Sequence, residues 1–126
     1  MVQSKEYQQG VALARQLFGT EDGEFEGLGL PLDDDLVKEL VAWLYGYMMQ
    51  ERPWLSTRLR LLSGISMLTC LQREEMLADW IRAALNNGCT EKEIREVIVM
   101  MSIYAGWPVT RAGLSVAATV FSRERS

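Results

Sequence analysis

The sequence predicts an all-α fold, a single-domain bundle of about six helices. Three observations carry that expectation. Apolar residues recur at spacings of three and four in each long segment, the period of a helix with one buried face. The stretch Arg73–Pro108 places a helix stop and a helix start back to back. No segment alternates polar and apolar residues as a half-buried strand does.

The first helix runs from Ser4 to Phe18, with Tyr7, Val11, Ala14 and Phe18 along one side. Gly10 weakens it by about 1 kcal/mol relative to Ala; it either admits a neighbouring helix or is incidental. Gly19 to Pro31 carries four glycines and the acids Glu21, Asp22, Glu24 and Glu26. So long a connection is a solvated linker or a lid, and Phe25, Leu28 and Leu30 call for burial against the body or a neighbouring subunit. Asp33, Asp34 and Asp35 open the second helix. Capping and the positive end of the helix dipole explain three acids there better than a metal does. Val37, Leu40, Val41, Leu44 and Met48 supply its apolar face, while Trp43, Tyr45 and Tyr47 make the other side aromatic enough to suggest a subunit contact.

Arg52-Pro53-Trp54 breaks that helix, and Ser56 caps the third, Thr57 to Leu71. Leu61, Leu62, Ile65, Leu68 and Leu71, with the small residues Ser63, Gly64 and Ser66, mark it as a central helix that others approach closely. In Arg73–Pro108 the first face is Met76, Leu77, Trp80, Ile81, Ala84 and Leu85. Asn87-Gly88 ends it, because Gly accepts the left-handed conformation of a helix stop. Thr90 and Glu93 then form a capping box. The second face is Ile94, Val97, Ile98, Met101 and Tyr104, and Gly106 with Pro108 stops that helix. The last helix, Val109 to Ser122, uses Ala112, Gly113, Val116, Ala117 and Val120 for close packing.

Composition narrows the chemistry. At 126 residues, 48% hydrophobic and 24% charged, the chain is globular. A net charge of −4 without a basic cluster argues against nucleic acid as a partner. No apolar run approaches the roughly 20 residues of a membrane span, and no signal pattern opens the chain, so no membrane association and a cytoplasmic location are expected. There is no His. That excludes Ser-His and Cys-His catalytic pairs and argues against a metal site. Proton transfer would fall to a carboxyl, Tyr, Lys or Cys. Cys70 and Cys89 form no CxxC pair, which argues against dithiol chemistry; they read as a buried small hydrophobe and an incidental turn residue.

AALNNG, TEKEIREV and YAGWP, in this order and spacing, resemble the carboxymuconolactone decarboxylase family, related to the alkylhydroperoxidase D-like proteins. A Gly-containing first helix ending in LFG, the segment RPWLSTR and an apolar helix led by Arg60 extend the likeness more weakly over most of the chain. The resemblance implies an alkylhydroperoxidase D-like bundle and a homo-oligomer, a trimer or a hexamer of trimers. It also implies a site on the first helix of the pair, where the family carries a Glu and, four residues on, a His. Those places hold Met76 and Trp80 here. The redox relatives' CxxC, His and Glu fall on Arg73, Met76, Trp80 and Leu61, so that set is missing too.

The resemblance therefore puts Arg60, Leu61, Arg73, Met76, Trp80, Tyr104 and Trp107 around the site. Met76 and Trp80 are core by spacing and pocket lining by resemblance. Tyr104 is the candidate acid, partly buried beside Gly106 with its hydroxyl towards a ligand. Arg60 is its catalytic companion, and it or Arg73 would hold a carboxylate or enolate in bidentate fashion. Glu75 and Asp79 read as a solvated face with Arg82. No cofactor motif appears. The functional expectation is a cofactor-free, largely apolar pocket for a small cyclic carboxylated or lactone metabolite that is decarboxylated, isomerised or cyclised. A catalytically silent binder or structural oligomer that keeps the fold is the alternative. Aromatic catabolism and natural-product assembly are both compatible settings.

Overall fold

The protein, seen in a computed structural model, is described for residues 4–18 and 34–126. The Gly19–Pro31 connection, expected as a linker or lid, and Asp33, expected at the start of the second helix, lie outside the described residues. Every described element is helical: α1 (Lys5–Phe18), α2 (Asp34–Leu40) running on as a π-helical stretch (Val41–Glu51), α3 (Thr57–Leu71), α4 (Glu74–Asn86), α5 (Glu91–Met100), the single turn α6 (Ser102–Ala105) and α7 (Trp107–Arg125). The all-α expectation holds. None of these helices is long and apolar enough to cross a membrane. Two compact units, Met1–Thr57 and Arg58–Ser126, organise the chain.

In the first unit α1 packs against the π-helical stretch. Its buried stripe is Gly10, Leu13, Ala14 and Leu17. Of the expected side, Ala14 is buried but Tyr7 and Val11 are only half-buried, because the helix turns its glycine towards the contact; the Phe18 side chain lies outside the described ones. A Cβ on Gly10 would lie 2.3 Å from the Val41 carbonyl oxygen, and one on Gly46 would lie 1.9 Å from that of Glu6. Gly10 is thus the contact rather than an accident. The second helix departs from α-winding. At its end the Arg52 N–H donates to the Tyr47 carbonyl at 3.2 Å, five residues back, as π-winding requires. Wider turns change which side chains share a face. Val41, Tyr45, Gly46 and Met49 are buried, whereas the expected Leu44 and Met48 are only half-buried. Tyr45 therefore belongs to the core, and the exposed aromatics of this helix are Trp43 and Tyr47.

In the second unit α3 buries Leu61, Leu62, Ile65 and Thr69. It ends in a Schellman motif: the Arg73 N–H donates to the Leu68 carbonyl and the Gln72 N–H to that of Thr69, both at 3.1 Å. The residue that must turn left-handed is Gln72, at φ 59°. The same motif ends α4. There Cys89 donates to Ala84 at 3.0 Å and Gly88 to Leu85 at 3.3 Å, with Gly88 at φ 87°. Cys89 is the residue that packs inward after such a stop, which is why it is buried while Cys70 is only half-buried. That order reverses the expectation.

The capping box of α5 is complete, Glu93 N–H to Thr90 Oγ1 at 3.0 Å and Thr90 N–H to Glu93 Oε1 at 2.9 Å. Ile94, Ile98 and Met101 are buried as expected. Gly106 (φ 89°) breaks the chain as expected. Pro108, however, lies in the first turn of α7, where its missing N–H costs nothing. It starts a helix rather than stopping one. α7 packs on both α4 and α5, burying Gly113, Ala117, Val120 and Phe121.

Candidate functional site

The Gln72–Arg73 turn sets where α4 begins, and α4 then carries Met76 and Trp80 on consecutive turns. Leu77, Ile81 and Ala84 take the inner side of the helix. Met76 is 47% exposed and Trp80 half-buried, so this flank borders the core without being sealed in it. The Trp80 indole lies over α3: a Cβ on Gly64 would meet its Nε1 at 2.5 Å and Cδ1 at 2.8 Å. One turn before Gly64 on α3 stand Arg60, half-buried, and Leu61, fully buried. Leu61 is thus fully enclosed in the single chain, whereas the resemblance implied a place for it at the site. Arg73 is exposed at the N-cap of α4.

Tyr104 and Trp107 flank the Gly106 turn. Both point outward, at 72% and 58% exposure, together with Ile103. The expected partial burial of Tyr104 is not found in the single chain, because the break at Met101 and the turn at Gly106 take this segment off the α5 face. The surface there is unusually apolar. Between Glu96 and Arg123 the sole charged side chain is Arg111.

The titratable groups beside this flank are not merely solvated. Asp79 and Arg82 form a hydrogen-bonded ion pair on α4. Burial pushes the Asp79 carboxyl above its ordinary range; Arg82 pulls it down, and the Glu75 charge adds to the push. Burial also raises the Cys89 thiol, against the pull of Arg58, so it remains a protonated and poor nucleophile near neutral pH. Its Sγ–H donates weakly to the Arg58 carbonyl at 4.0 Å. Arg58 itself pairs with Glu93, so the capping glutamate of α5 is also tied to the start of α3. Among the described residues no three His, Cys, Asp or Glu side chains gather where one metal ion would sit.

Sequence reasoning counted Gly64 only among the small residues of a closely approached helix, read Asp79 as a solvated face with Arg82, and passed over Arg58. Gly64 had a visible signal, a glycine inside an apolar helix. Asp79 and Arg58 had none, since spacing does not reveal which charged groups are half-buried.

Known proteins resemble this chain over most of its length. The model of the carboxymuconolactone decarboxylase family matches residues 36–119. A 4-carboxymuconolactone decarboxylase of Acinetobacter baylyi is 31% identical over 123 residues, 96% of this chain and 90% of the relative. An uncharacterized 15.0 kDa protein in the nqo9-nqo10 intergenic region of Paracoccus denitrificans is 35% identical over 68 residues, 54% of this chain and 51% of that protein.

Proposed function

The chain belongs to the carboxymuconolactone decarboxylase family, and on that premise we propose that it acts on a small carboxylated lactone, with decarboxylation as the leading reaction. The observation that carries the reading is the 31% identity to a 4-carboxymuconolactone decarboxylase over nearly the whole chain. The Met76–Trp80 flank supports it chemically. Loss of CO2 disperses charge that the carboxylate held compactly, so an apolar, water-poor wall lowers the barrier when the substrate carries its own electron sink. The electron pair of the broken C–C bond runs into the lactone carbonyl through a conjugated double bond. A proton then returns to carbon. Arg60 and Arg73 are suited to hold the carboxylate and the developing enolate.

Tyr104 is the proposed proton donor. Its exposure in one chain means that a neighbouring subunit is needed to exclude water from it. We accordingly propose a homo-oligomer, a trimer or a hexamer of trimers, supported by exposed Ile103, Tyr104 and Trp107 in one unit and Trp43, Tyr47 and Trp54 in the other.

The test is CO2 release from 4-carboxymuconolactone and from related carboxylated lactones and β-keto acids. Tyr104→Phe should slow turnover about a hundredfold, and Arg60→Ala should raise KM as well. Turnover that survives Trp80→Ala, Tyr104→Phe and Arg60→Ala together would show that the site lies elsewhere. A silent binder is the second reading, favoured by the absence of His and the enclosure of Leu61. In that case no substrate turns over, Tyr104→Phe leaves affinity intact and Trp80→Ala weakens it. A monomer by light scattering at micromolar concentration would rule out the assembly.

A further inference from the structure

Gly64 lies near the middle of α3, a helix with no other glycine. Helix propensity disfavours it there, so its presence calls for a local reason. The reason is spatial. The Cβ of any other residue would be 2.5 Å from Nε1 and 2.8 Å from Cδ1 of Trp80, far inside van der Waals contact. The pyrrole side of the indole thus occupies the volume where a side chain would begin. Trp80 as a whole is only half enclosed, and Met76, one turn away on α4, is 47% exposed. An aromatic held on one side and open on the other is a wall with a fixed position.

We propose that Gly64 is a positioning residue that seats the Trp80 indole against α3 and so sets where the ring stands in a ligand wall, formed with Met76, for a carboxylated lactone. The proposal rests on the reading of this flank as a lactone site. Its physical content is a coupling. Adding one methyl at Gly64 must displace the indole from its seat, because the α3 backbone cannot yield as a side chain can. Shortening Trp80 relieves the same crowding. Gly64→Ala is therefore harmful only while the indole is present. Without it, the better helix former should help.

The test is a double-mutant cycle on the full chain, read by three measurements. First, the protein is labelled with 5-fluorotryptophan, and the Trp80 fluorine signal is identified by its loss in Trp80→Leu. In Gly64→Ala that signal should shift, while those of Trp43, Trp54 and Trp107 stay. Second, Gly64→Ala should lower the melting temperature of the wild-type chain yet raise it in the Trp80→Leu background. Third, paraconic acid, a carboxylated γ-lactone without a conjugated double bond and so unable to decarboxylate by this route, serves as the binding probe. Its affinity for Gly64→Ala should fall about tenfold, with no further loss when Gly64→Ala is added to Trp80→Leu. A Trp80 signal that does not move, or melting shifts that simply add, would overturn the lock. A signal that moves while paraconic acid binds wild type and Gly64→Ala equally would overturn the wall. Failure of the wild-type chain to bind paraconic acid at millimolar concentration, with the signal shift intact, would instead remove the lactone reading and leave the lock standing.

Discussion

Both units bring helices together at glycines, but they put different things on the far side of the contact. In the first unit the partner is backbone: Gly10 faces the Val41 carbonyl and Gly46 that of Glu6. In the second the partner of Gly64 is the edge of a tryptophan ring. A carbonyl inside a helix cannot move without moving the helix. An indole turns about two bonds. The first kind of contact holds structure alone, whereas the second couples helix packing to the position of a side chain on the proposed site.

The sharpest way to break this contrast is Gly46→Ala. Its methyl would sit 1.9 Å from the Glu6 oxygen, so α1 and the π-helical stretch would have to separate. A loss of roughly 3 kcal/mol or more is expected, at the upper end of overpacking costs, measured as a shift in urea midpoint. Gly10→Ala should follow closely. Gly64→Ala should cost about 1 kcal/mol or less, because the swing of the ring and the gain in helix propensity offset the crowding. If Gly64→Ala proves as costly as Gly46→Ala, the indole is as immovable as a backbone and the distinction fails.

The two Schellman caps extend the contrast at smaller scale. Gly88 and Gln72 occupy the same left-handed position after α4 and α3. Beyond its own chain neighbours no described atom lies within 4 Å of where a Gly88 Cβ would be, so Gly88→Ala meets backbone strain alone and should cost about 1 kcal/mol. Gln72→Gly should gain somewhat less than that, since relief of strain is partly offset by a freer unfolded chain. Thermal unfolding of the two variants, shifting in opposite directions, checks both. A Gln72→Gly variant that loses stability would show that the glutamine side chain contributes more than its backbone costs.

These contacts also show what the sequence could and could not reveal. Thr90, Glu93 and Gly88 act within four residues of themselves, and so the α4–α5 turn was readable from spacing. The periodic faces of α4 and α5 were readable for the same reason: Leu77, Ile81, Ile94 and Ile98 sit where a period of 3.6 places them. Tyr45 was misplaced because an α-period was applied to a segment that winds as π, and no residue in it announces the change. The proposed site was the least legible part. Where the Trp80 indole lies depends on Gly64, sixteen residues earlier, and the outward turn of Tyr104 depends on a break at Met101 that an apolar run conceals.

The smallest expected effect concerns the ion pair beside the wall. Asp79 and Arg82 are within hydrogen-bonding contact, which suggests a stabilising bridge, yet the Asp79 carboxyl is raised above its ordinary 3.8 because burial outweighs the pull of Arg82. A raised carboxyl binds its proton more tightly in the folded state than in the unfolded one. Its contribution to stability is therefore complete below about pH 3.8 and is lost as pH rises through the native value. At pH 7 the charged pair costs the fold slightly more than it returns, as half-buried pairs often do. Asp79→Asn should then leave stability at pH 7 unchanged or up to about 0.5 kcal/mol higher, within the range of a single such pair. Arg82→Ala should be worse than Asp79→Asn, because it leaves the carboxylate enclosed beside Glu75 without its partner. Urea midpoints at pH 4 and pH 7 for the wild type and both variants separate these effects. If Asp79→Asn is the more damaging of the two at pH 7, the bridge is a net stabiliser and the attraction of Arg82 outweighs the cost of burial.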